Sequence, residues 1–331
     1  MRDLISIIVP CFDEEEALPI FFVELENERK ALPCDSEVIF VDDGSKDKTP
    51  DIIKHIAEKN AGVRYVLLSR NFGKEGAMAA GLCEARGDYA VVMDADLQHP
   101  PRYISVMYDA IKNPKDGRQI DSAAMYRTGR KGEKRIRSFF AKRLMKRFCR
   151  MSGIDIPAGA TDYRMVSRRM LDCYLGLSET NRFSKGLFNW IGFDTKWIPY
   201  ENTVRVAGRS KWSFSGLAGY GLEAMLSFSD KPLKYAAVLG AVSCVLALIF
   251  AIYVIIKTII WGDPVAGFPS LFCMILFMGG SILLFLGLIG RYISKIYMET
   301  KRRPLFVARE KGGHRETKET PTGVPDGAEK S

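Results

Sequence analysis

The chain has 331 residues, of which 47% are apolar and 26% are charged, and this composition excludes a disordered chain, a collagen-like fibre and a disulfide scaffold. Its formal net charge is +9, and the excess lies between residues 127 and 150, where eleven Lys or Arg stand against the single acid Glu133. Such a basic block indicates an anionic partner or a solvated surface. The seven cysteines form no CxxC pair, so we expect them to be reduced.

Short apolar runs in the first hundred residues predict strands at 4–9, 37–41, 63–68 and 89–93. Helical stretches are predicted between them, at about 17–31, 49–59 and 76–86. Strands that alternate with helices are typical of a mainly parallel sheet covered on both faces, so the predicted fold class is α/β. Ligands of such sheets bind beyond the carboxyl ends of the strands, and polar clusters follow the strand ends here.

The fourth predicted strand ends at Asp94-Ala95-Asp96, and Gln98 follows closely. Residues i and i+2 of an extended chain share a face, so both carboxylates can converge on one ligand. Acids at a strand end can hydrogen-bond a nucleoside or hold a divalent cation that in turn holds a diphosphate, and a solvated loop pair is the alternative. No GxGxxG follows the first strand and no GxxxxGK[ST] occurs, which argues against a dinucleotide oxidoreductase and a P-loop NTPase.

The basic block contains a predicted amphipathic helix at about 134–151. Its apolar residues recur every four positions, at Ile136, Phe140, Leu144 and Phe148, and Lys and Arg occupy much of the remaining circumference. A basic amphipathic helix lies naturally on an anionic leaflet. A second interfacial stretch is predicted at 212–229. Nucleic acid is the alternative partner, but a neighbouring membrane segment already accounts for a phosphate-rich surface.

Two uncharged runs predict a transmembrane hairpin with spans at about 235–257 and 265–290, because roughly 20 apolar residues suffice to cross a bilayer. Lys and Arg flank the outer ends of both runs, so the positive-inside rule predicts that both termini are cytoplasmic. The predicted division is therefore a cytoplasmic domain at 1–230, a hairpin at 231–300 and a tail at 301–331. The tail is basic at first and is expected to be disordered from Lys311.

Four segments in order resemble the family 2 glycosyltransferases with a GT-A fold: 4–16 (LISIIVPCFDEEE), 39–49 (IFVDDGSKDKT), 67–81 (LLSRNFGKEGAMAAG) and 91–101 (VVMDADLQHPP). Residues 161–164 (TDYR), residues 205–212 (RVAGRSKW) and the hairpin narrow the resemblance to polyprenyl-phosphate glycosyltransferases, such as bactoprenol glucosyltransferases and dolichol-phosphate mannose synthases. The similarity covers about residues 4–305. It implies a nucleotide-sugar-binding domain followed by interfacial helices and a membrane hairpin.

The resemblance implies a donor site formed by Pro10, Glu14, Asp42, Asp43, Asn71, Lys74, Asp94 and Gln98. It also implies that Asp94, Asp96 and Gln98 hold Mg²⁺ or Mn²⁺, with Asp96 in the more direct metal contact and Asp94 towards the sugar or ribose. One of Asp42 and Asp43 accepts a hydrogen bond from the nucleobase, and a helix-cap turn is the alternative for that pair. For residues 71–74 the alternative is a tight turn that uses Gly73.

Asp162 is the candidate catalytic base, together with Asp96 at the metal, and a salt bridge from Asp162 to Arg164 is the alternative. The acceptor is a phosphate monoester with a second pKa of about 6, so Asp162 has little deprotonation to perform. Cations that neutralise the phosphates are predicted at Arg127, Arg205 and Lys211, with Ser210 beside them. Membership of the solvated basic surface is the alternative for Arg127. His99 stands where an acid is frequent, and no role is assigned to it.

The predicted function is inverting transfer of a hexose, with UDP-glucose as the leading donor, to a polyprenyl phosphate such as undecaprenyl phosphate at the cytoplasmic membrane face. The alternatives are another donor (GDP-mannose, UDP-N-acetylglucosamine or a UDP-aminoarabinose derivative) or a non-catalytic membrane-anchored scaffold. A processive synthase is disfavoured because the sequence contains no QxxRW. The expected partners are the donor, the lipid, the membrane and a second copy of the chain, and no nucleic acid.

Overall fold

A computed structural model describes residues 2–114, 117–129, 149–150, 153, 155–180, 182–201, 231–261 and 267–313. Its strands are β1 (Leu4–Cys11), β2 (Asp35–Asp42), β3 (Val63–Leu68), β4 (Tyr89–Val92), β5 (Ser122–Gly129), β6 (Ala160–Ser167), β7 (Thr195–Glu201) and β8 (Ala308–Gly313). Its helices are α1 (Leu18–Ala31), α2 (Thr49–Lys59), α3 (Lys74–Glu84), α4 (Tyr103–Lys112), α5 (Arg168–Leu175), α6 (Ser184–Trp190), α7 (Lys231–Trp261) and α8 (Phe268–Thr300).

The strands form one mixed sheet in the order β7-β5-β6-β4-β1-β2-β3-β8. The neighbours β4, β1, β2 and β3 are mutually parallel, which confirms the predicted α/β class, whereas β6 and β8 pair antiparallel to β4 and β3. The central strand β1 is almost wholly apolar because both of its faces are buried. The carboxyl ends of these parallel strands therefore meet at one edge of the sheet.

A hydrophobic layer covers each face of the sheet. On one face α1, α2 and α4 contribute Phe21, Ile53 and Met107, and on the other α3 and α5 contribute Met78 and Met170. The helix α3 lies directly on β1, because a Cβ at Gly81 would overlap the side chain of Ile8. This contact sets the position of α3, whose first residue carries a side chain of the candidate site.

The chain returns to the sheet after α8, and this differs from the disordered tail expected from Lys311. Residues 308–313 form the edge strand β8, antiparallel to β3. The carboxylate of Glu310 accepts hydrogen bonds from Lys54 Nζ (2.7 Å) and Tyr65 Oη (2.9 Å). The strand has no apolar run because its side chains alternate between half-buried and exposed positions at a sheet edge. Residues 314–331 lie outside the described residues.

Two long helices, α7 with 31 residues and α8 with 33, follow the sheet domain and contact each other. Both carry many exposed large apolar side chains. Within the described part of the chain, one stretch, Phe277–Thr300, is long and apolar enough to cross a membrane. Two spans are therefore not confirmed. The predicted interfacial helix at 212–229, and all of 134–151 except residues 149 and 150, lie outside the described residues.

Candidate active site

A cavity of about 240 Å³ opens at the carboxyl ends of the parallel strands. It is lined by the end of β1 and the turn after it, by Asp43 after β2, by the start of α3 and by the loop after β4. The lining residues are Pro10, Cys11, Phe12, Glu14, Asp43, Asn71, Gly73, Lys74, Ala77, Asp94, Ala95 and Asp96. Seven of the predicted site residues are thus brought together around one space.

Asp94 and Asp96 follow β4 directly and line the same cavity. The loop folds back on itself: the Gln98 N–H donates to Asp96 Oδ1 (3.0 Å), and the Asp94 N–H donates to His99 Nδ1 (3.0 Å). Leu97, which lies between Asp96 and Gln98, has a positive φ of 59°, and this conformation closes the tight turn. Asp96 is 4% exposed, whereas Asp94 is partly open to the cavity.

The acid pair suits a hard divalent cation. No group of three or more His, Cys, Asp or Glu side chains in the described ranges is arranged to hold a metal ion. Mg²⁺, however, commonly takes only one or two carboxylates and completes its shell with substrate phosphates and water. Two carboxylate-bearing residues that line the same cavity provide that donor set, so the residues present fit the predicted cation.

Lys74 links Asp94 to Asp162. Its Nζ lies 2.6 Å from Asp94 Oδ1 and 3.1 Å from Asp162 Oδ2. On the other side of Asp162, Lys185 Nζ lies 3.6 Å from Oδ1. Burial alone raises the pKa of Asp162, but the ammonium groups of Lys185 and Lys74 outweigh it and hold that pKa well below its usual value. The site therefore contains a row of alternating charges that runs from Asp94 to Lys185.

The suggested salt bridge from Asp162 to Arg164 is wrong for the described residues, because Asp162 pairs with the two lysines. The Arg164 guanidinium instead packs over the Phe188 ring, with Cζ 4.9 Å from the ring centroid. Its Nη atoms are buried and have no hydrogen-bond partner within the described part of the chain. Burial lowers the pKa of Arg164 to about 10.

The two acids at the end of β2, Asp42 and Asp43, have different surroundings. Asp43 lines the cavity, where its Oδ1 accepts from the Phe72 N–H (2.7 Å) and its Oδ2 from the Gly73 N–H (3.0 Å). Asp42 is fully buried and accepts from the backbone N–H groups of Gly44 and Ser45. Asp42 therefore makes a tight turn at residues 42–45, which is not the helix cap considered as an alternative, because α2 begins only at Thr49. Asp43 anchors the loop that leads into α3.

Arg127 and Gln98 contact each other beside the acid loop. Arg127, on β5, donates from Nη2 to Gln98 Oε1 (3.2 Å) and from Nε to Tyr200 Oη (3.0 Å). Gln98 is not among the cavity-lining residues, and the oxygen that a metal would need already accepts this hydrogen bond. Its role as a metal ligand stays a prediction. Arg205, Ser210 and Lys211 lie outside the described residues.

Sequence reasoning missed His99, Lys185 and Glu75. His99 is 1% exposed, stacks on Tyr163 at 4.9 Å between ring centroids and supports the Asp94 backbone. Burial lowers the pKa of His99 to about 4, so its ring is neutral near pH 7. Glu75 accepts hydrogen bonds from the backbone N–H and the hydroxyl of Ser184, and this joins α3 to α6. No motif or spacing in the sequence indicates the contacts that these three residues make.

Comparison with known proteins identifies the family. The model of Glycosyl transferase family 2 matches residues 6–175. The chain is 38% identical over 309 residues to the uncharacterized glycosyltransferase sll0501 of Synechocystis, with 93% of this chain and 96% of that protein covered. It is 36% identical over 307 residues to the bactoprenol glucosyl transferase of Shigella phage SfX, with 93% and 99% covered.

Among solved structures, glucosyl-3-phosphoglycerate synthase from Mycobacterium tuberculosis, in complex with Mn²⁺, UDP-glucose and phosphoglyceric acid, matches with a TM-score of 0.48 and 18% identity. The match covers 68% of this chain and 79% of that one. The family model matches about half of the chain, and the two relatives cover 93% of it. The chain belongs to glycosyl transferase family 2, and it is a glycosyltransferase.

Proposed function

We propose that the protein transfers one hexose from a nucleotide sugar to a polyprenyl phosphate at the cytoplasmic face of a membrane, with inversion at the anomeric carbon. The observation that carries the proposal is the cavity at the strand ends, which Asp94 and Asp96 both line and in which Lys74 connects Asp94 to Asp162. The acceptor class is supported by relatives named bactoprenol glucosyl transferases, which cover more than nine-tenths of the chain.

The donor binds in this cavity, with UDP-glucose as the leading candidate because the relatives' names specify glucosyl transfer. Asp94 and Asp96 are the residues that hold Mg²⁺ or Mn²⁺, which when bound stabilises the charge that develops on the departing diphosphate. Pro10, Glu14, Asp43 and Asn71 line the remainder of the donor pocket. Arg205, Ser210 and Lys211 are proposed to close over the diphosphate on the strength of the resemblance.

The acceptor phosphate approaches from the side of Asp162. One of its oxygens attacks the anomeric carbon, the bond from that carbon to the donor phosphate breaks, and the nucleoside diphosphate leaves. The attacking phosphate has a second pKa of about 6 and is largely a dianion at pH 7, so little deprotonation is required. Asp162, kept ionised by its two lysines, orients the acceptor or takes a residual proton.

The two long helices are proposed to form the membrane hairpin, with both chain termini in the cytoplasm. At a rise of about 1.5 Å per residue, α7 and α8 each exceed the hydrocarbon thickness of about 30 Å. Their many exposed apolar side chains support this proposal. The same proposal includes the domain boundaries at residues 230 and 300, the interfacial helices and a homo-oligomer.

The test is a donor panel with one acceptor. Purified full-length protein in detergent receives undecaprenyl phosphate, Mg²⁺ or Mn²⁺, and radiolabelled UDP-glucose, UDP-N-acetylglucosamine, GDP-mannose or a UDP-aminoarabinose derivative. We expect labelled lipid from UDP-glucose, and a loss of at least about a hundredfold in Asp94→Asn and Asp96→Asn. Asp51→Asn, at an exposed position on α2, is the matched control.

Each outcome selects one hypothesis. Labelled lipid from another donor replaces UDP-glucose but keeps the reaction class. Product formation at the wild-type rate by both aspartate variants would refute the metal assignment. No labelled lipid with any of the donors would favour the non-catalytic scaffold for this acceptor.

A further inference from the structure

The Lys74 ammonium contacts the carboxylate that is proposed to hold the divalent cation. Its Nζ is 2.6 Å from Asp94 Oδ1, and both residues line the cavity that also contains Asp96. A lysine side chain ordinarily carries a positive charge at physiological pH, so Asp94 already has a cationic partner.

Two cations at contact distance from one carboxylate oxygen repel each other strongly where water is partly excluded. A divalent ion that arrives alone must therefore compete with the ammonium for Asp94. A donor diphosphate favours the metal in this competition, because its negative oxygens offer the Lys74 ammonium a new partner within the same cavity. The geometry thus disfavours the binding of a metal ion in the absence of the donor.

We propose that Lys74 is a built-in counter-cation of Asp94, which keeps the affinity of the site for a free divalent cation low. The inference rests on the proposed function only in assigning Asp94 to the metal. Lys74 need not leave the cavity on displacement, because Asp162 Oδ2 also lies 3.1 Å from its Nζ and remains as a partner. Lys185 balances the charge of Asp162 from the far side.

The test measures metal binding without donor or acceptor. Full-length protein in detergent is titrated with Mn²⁺ alone, and the free ion is followed by its electron paramagnetic resonance signal. We expect Lys74→Met to bind Mn²⁺ at least about tenfold more tightly than the wild type, because the competing charge is gone. Lys74→Arg keeps the charge and should stay within about threefold of the wild type.

Lys185→Met is the matched control. It removes the same charge from the same row, but it leaves the contact between Lys74 and Asp94 in place. We expect a change below about threefold in its Mn²⁺ affinity, which separates direct competition from a general gain of negative charge. Lys74→Gln, which keeps a hydrogen-bond donor, replaces Lys74→Met if that variant does not fold.

Unchanged or weaker Mn²⁺ binding in both neutral Lys74 variants would overturn the inference. An equal gain in Lys185→Met would overturn it as well. The titration contains no sugar nucleotide and no lipid, so its result is independent of the donor panel. Failure of the proposed transfer reaction would appear there as absent lipid product.

Discussion

At the scale of single residues, Asp162 is notable because it lies between two ammonium groups. Its folded-state pKa is below the unfolded value of about 3.9, so its ionised form stabilises the fold above that pH. The contribution is lost only as the pH falls through the lowered pKa, which is far below any assay range. A carboxylate with so low a pKa is a weak general base, and it stays negatively charged throughout the assay range.

We therefore expect Asp162→Asn to lower kcat by about tenfold, less than the 10²–10⁴ typical of a lost general base. The acid limb of the pH profile should stay near pH 6 in the variant, since it reports the second ionisation of the acceptor phosphate at about 6. Initial rates between pH 5 and pH 9 with an undecaprenyl phosphate acceptor provide the measurement, with exposed Asp172→Asn as the control. If the acid limb of the pH profile disappears in Asp162→Asn, then Asp162 itself acts as the general base.

Site residues that directly follow a predicted strand could be identified from the sequence. Contacts between segments far apart in the sequence could not. Asp94 and Glu14 follow strands that the apolar runs identify, and parallel strand ends meet at one edge of a sheet. The contact of Lys74 with Asp162 depends on the antiparallel register that pairs Val92 with Arg164. That register joins segments 72 residues apart in the sequence, and no short-range pattern encodes it.

At the scale of elements, the fit of α3 on the sheet depends on Gly81. A Cβ there would overlap Ile8 and come within 3.0 Å of a Val41 methyl group. We expect Gly81→Ala to destabilise the fold by about 1–3 kcal/mol, as overpacking of a core does. Urea unfolding of the detergent-solubilised chain, followed by tryptophan fluorescence, measures the change.

Gly240→Ala on α7 is the matched control, because a Cβ there meets no atom within 4 Å. We expect its unfolding midpoint to equal that of the wild type. If Gly81→Ala also leaves the midpoint unchanged, then α3 tolerates a wider separation from β1 than its packing indicates.

The prediction of elements from sequence succeeded for one half of the sheet. The apolar runs locate β1 to β4 to within two residues at each end, because buried parallel strands have no polar alternation. The strands β5 to β8 were not predicted. β8 reads AREKGG, and such a polar sequence becomes a strand only because the edge of β3 is available to pair with it.

At the scale of the whole molecule, β8 connects the end of the two long helices to the sheet. Removal of residues 305–331 exposes the edge of β3 and uncovers the core beneath Phe306. We expect this truncation to lower the thermal unfolding temperature by about 5 °C and to promote aggregation through the open edge. Size-exclusion chromatography and thermal unfolding in detergent test this.

A truncation that removes only residues 314–331 keeps β8 and serves as the control. Its unfolding temperature should match that of the full chain. Equal behaviour of the two truncations would mean that β8 contributes nothing to the stability of the sheet.

The late position of β8 has a consequence for biosynthesis. The edge strand is synthesised only after both long helices, so β3 has no edge partner until the chain is nearly complete. The sheet can therefore close its edge only at the end of translation, and a ribosome that stalls before residue 308 releases a chain whose β3 edge is open.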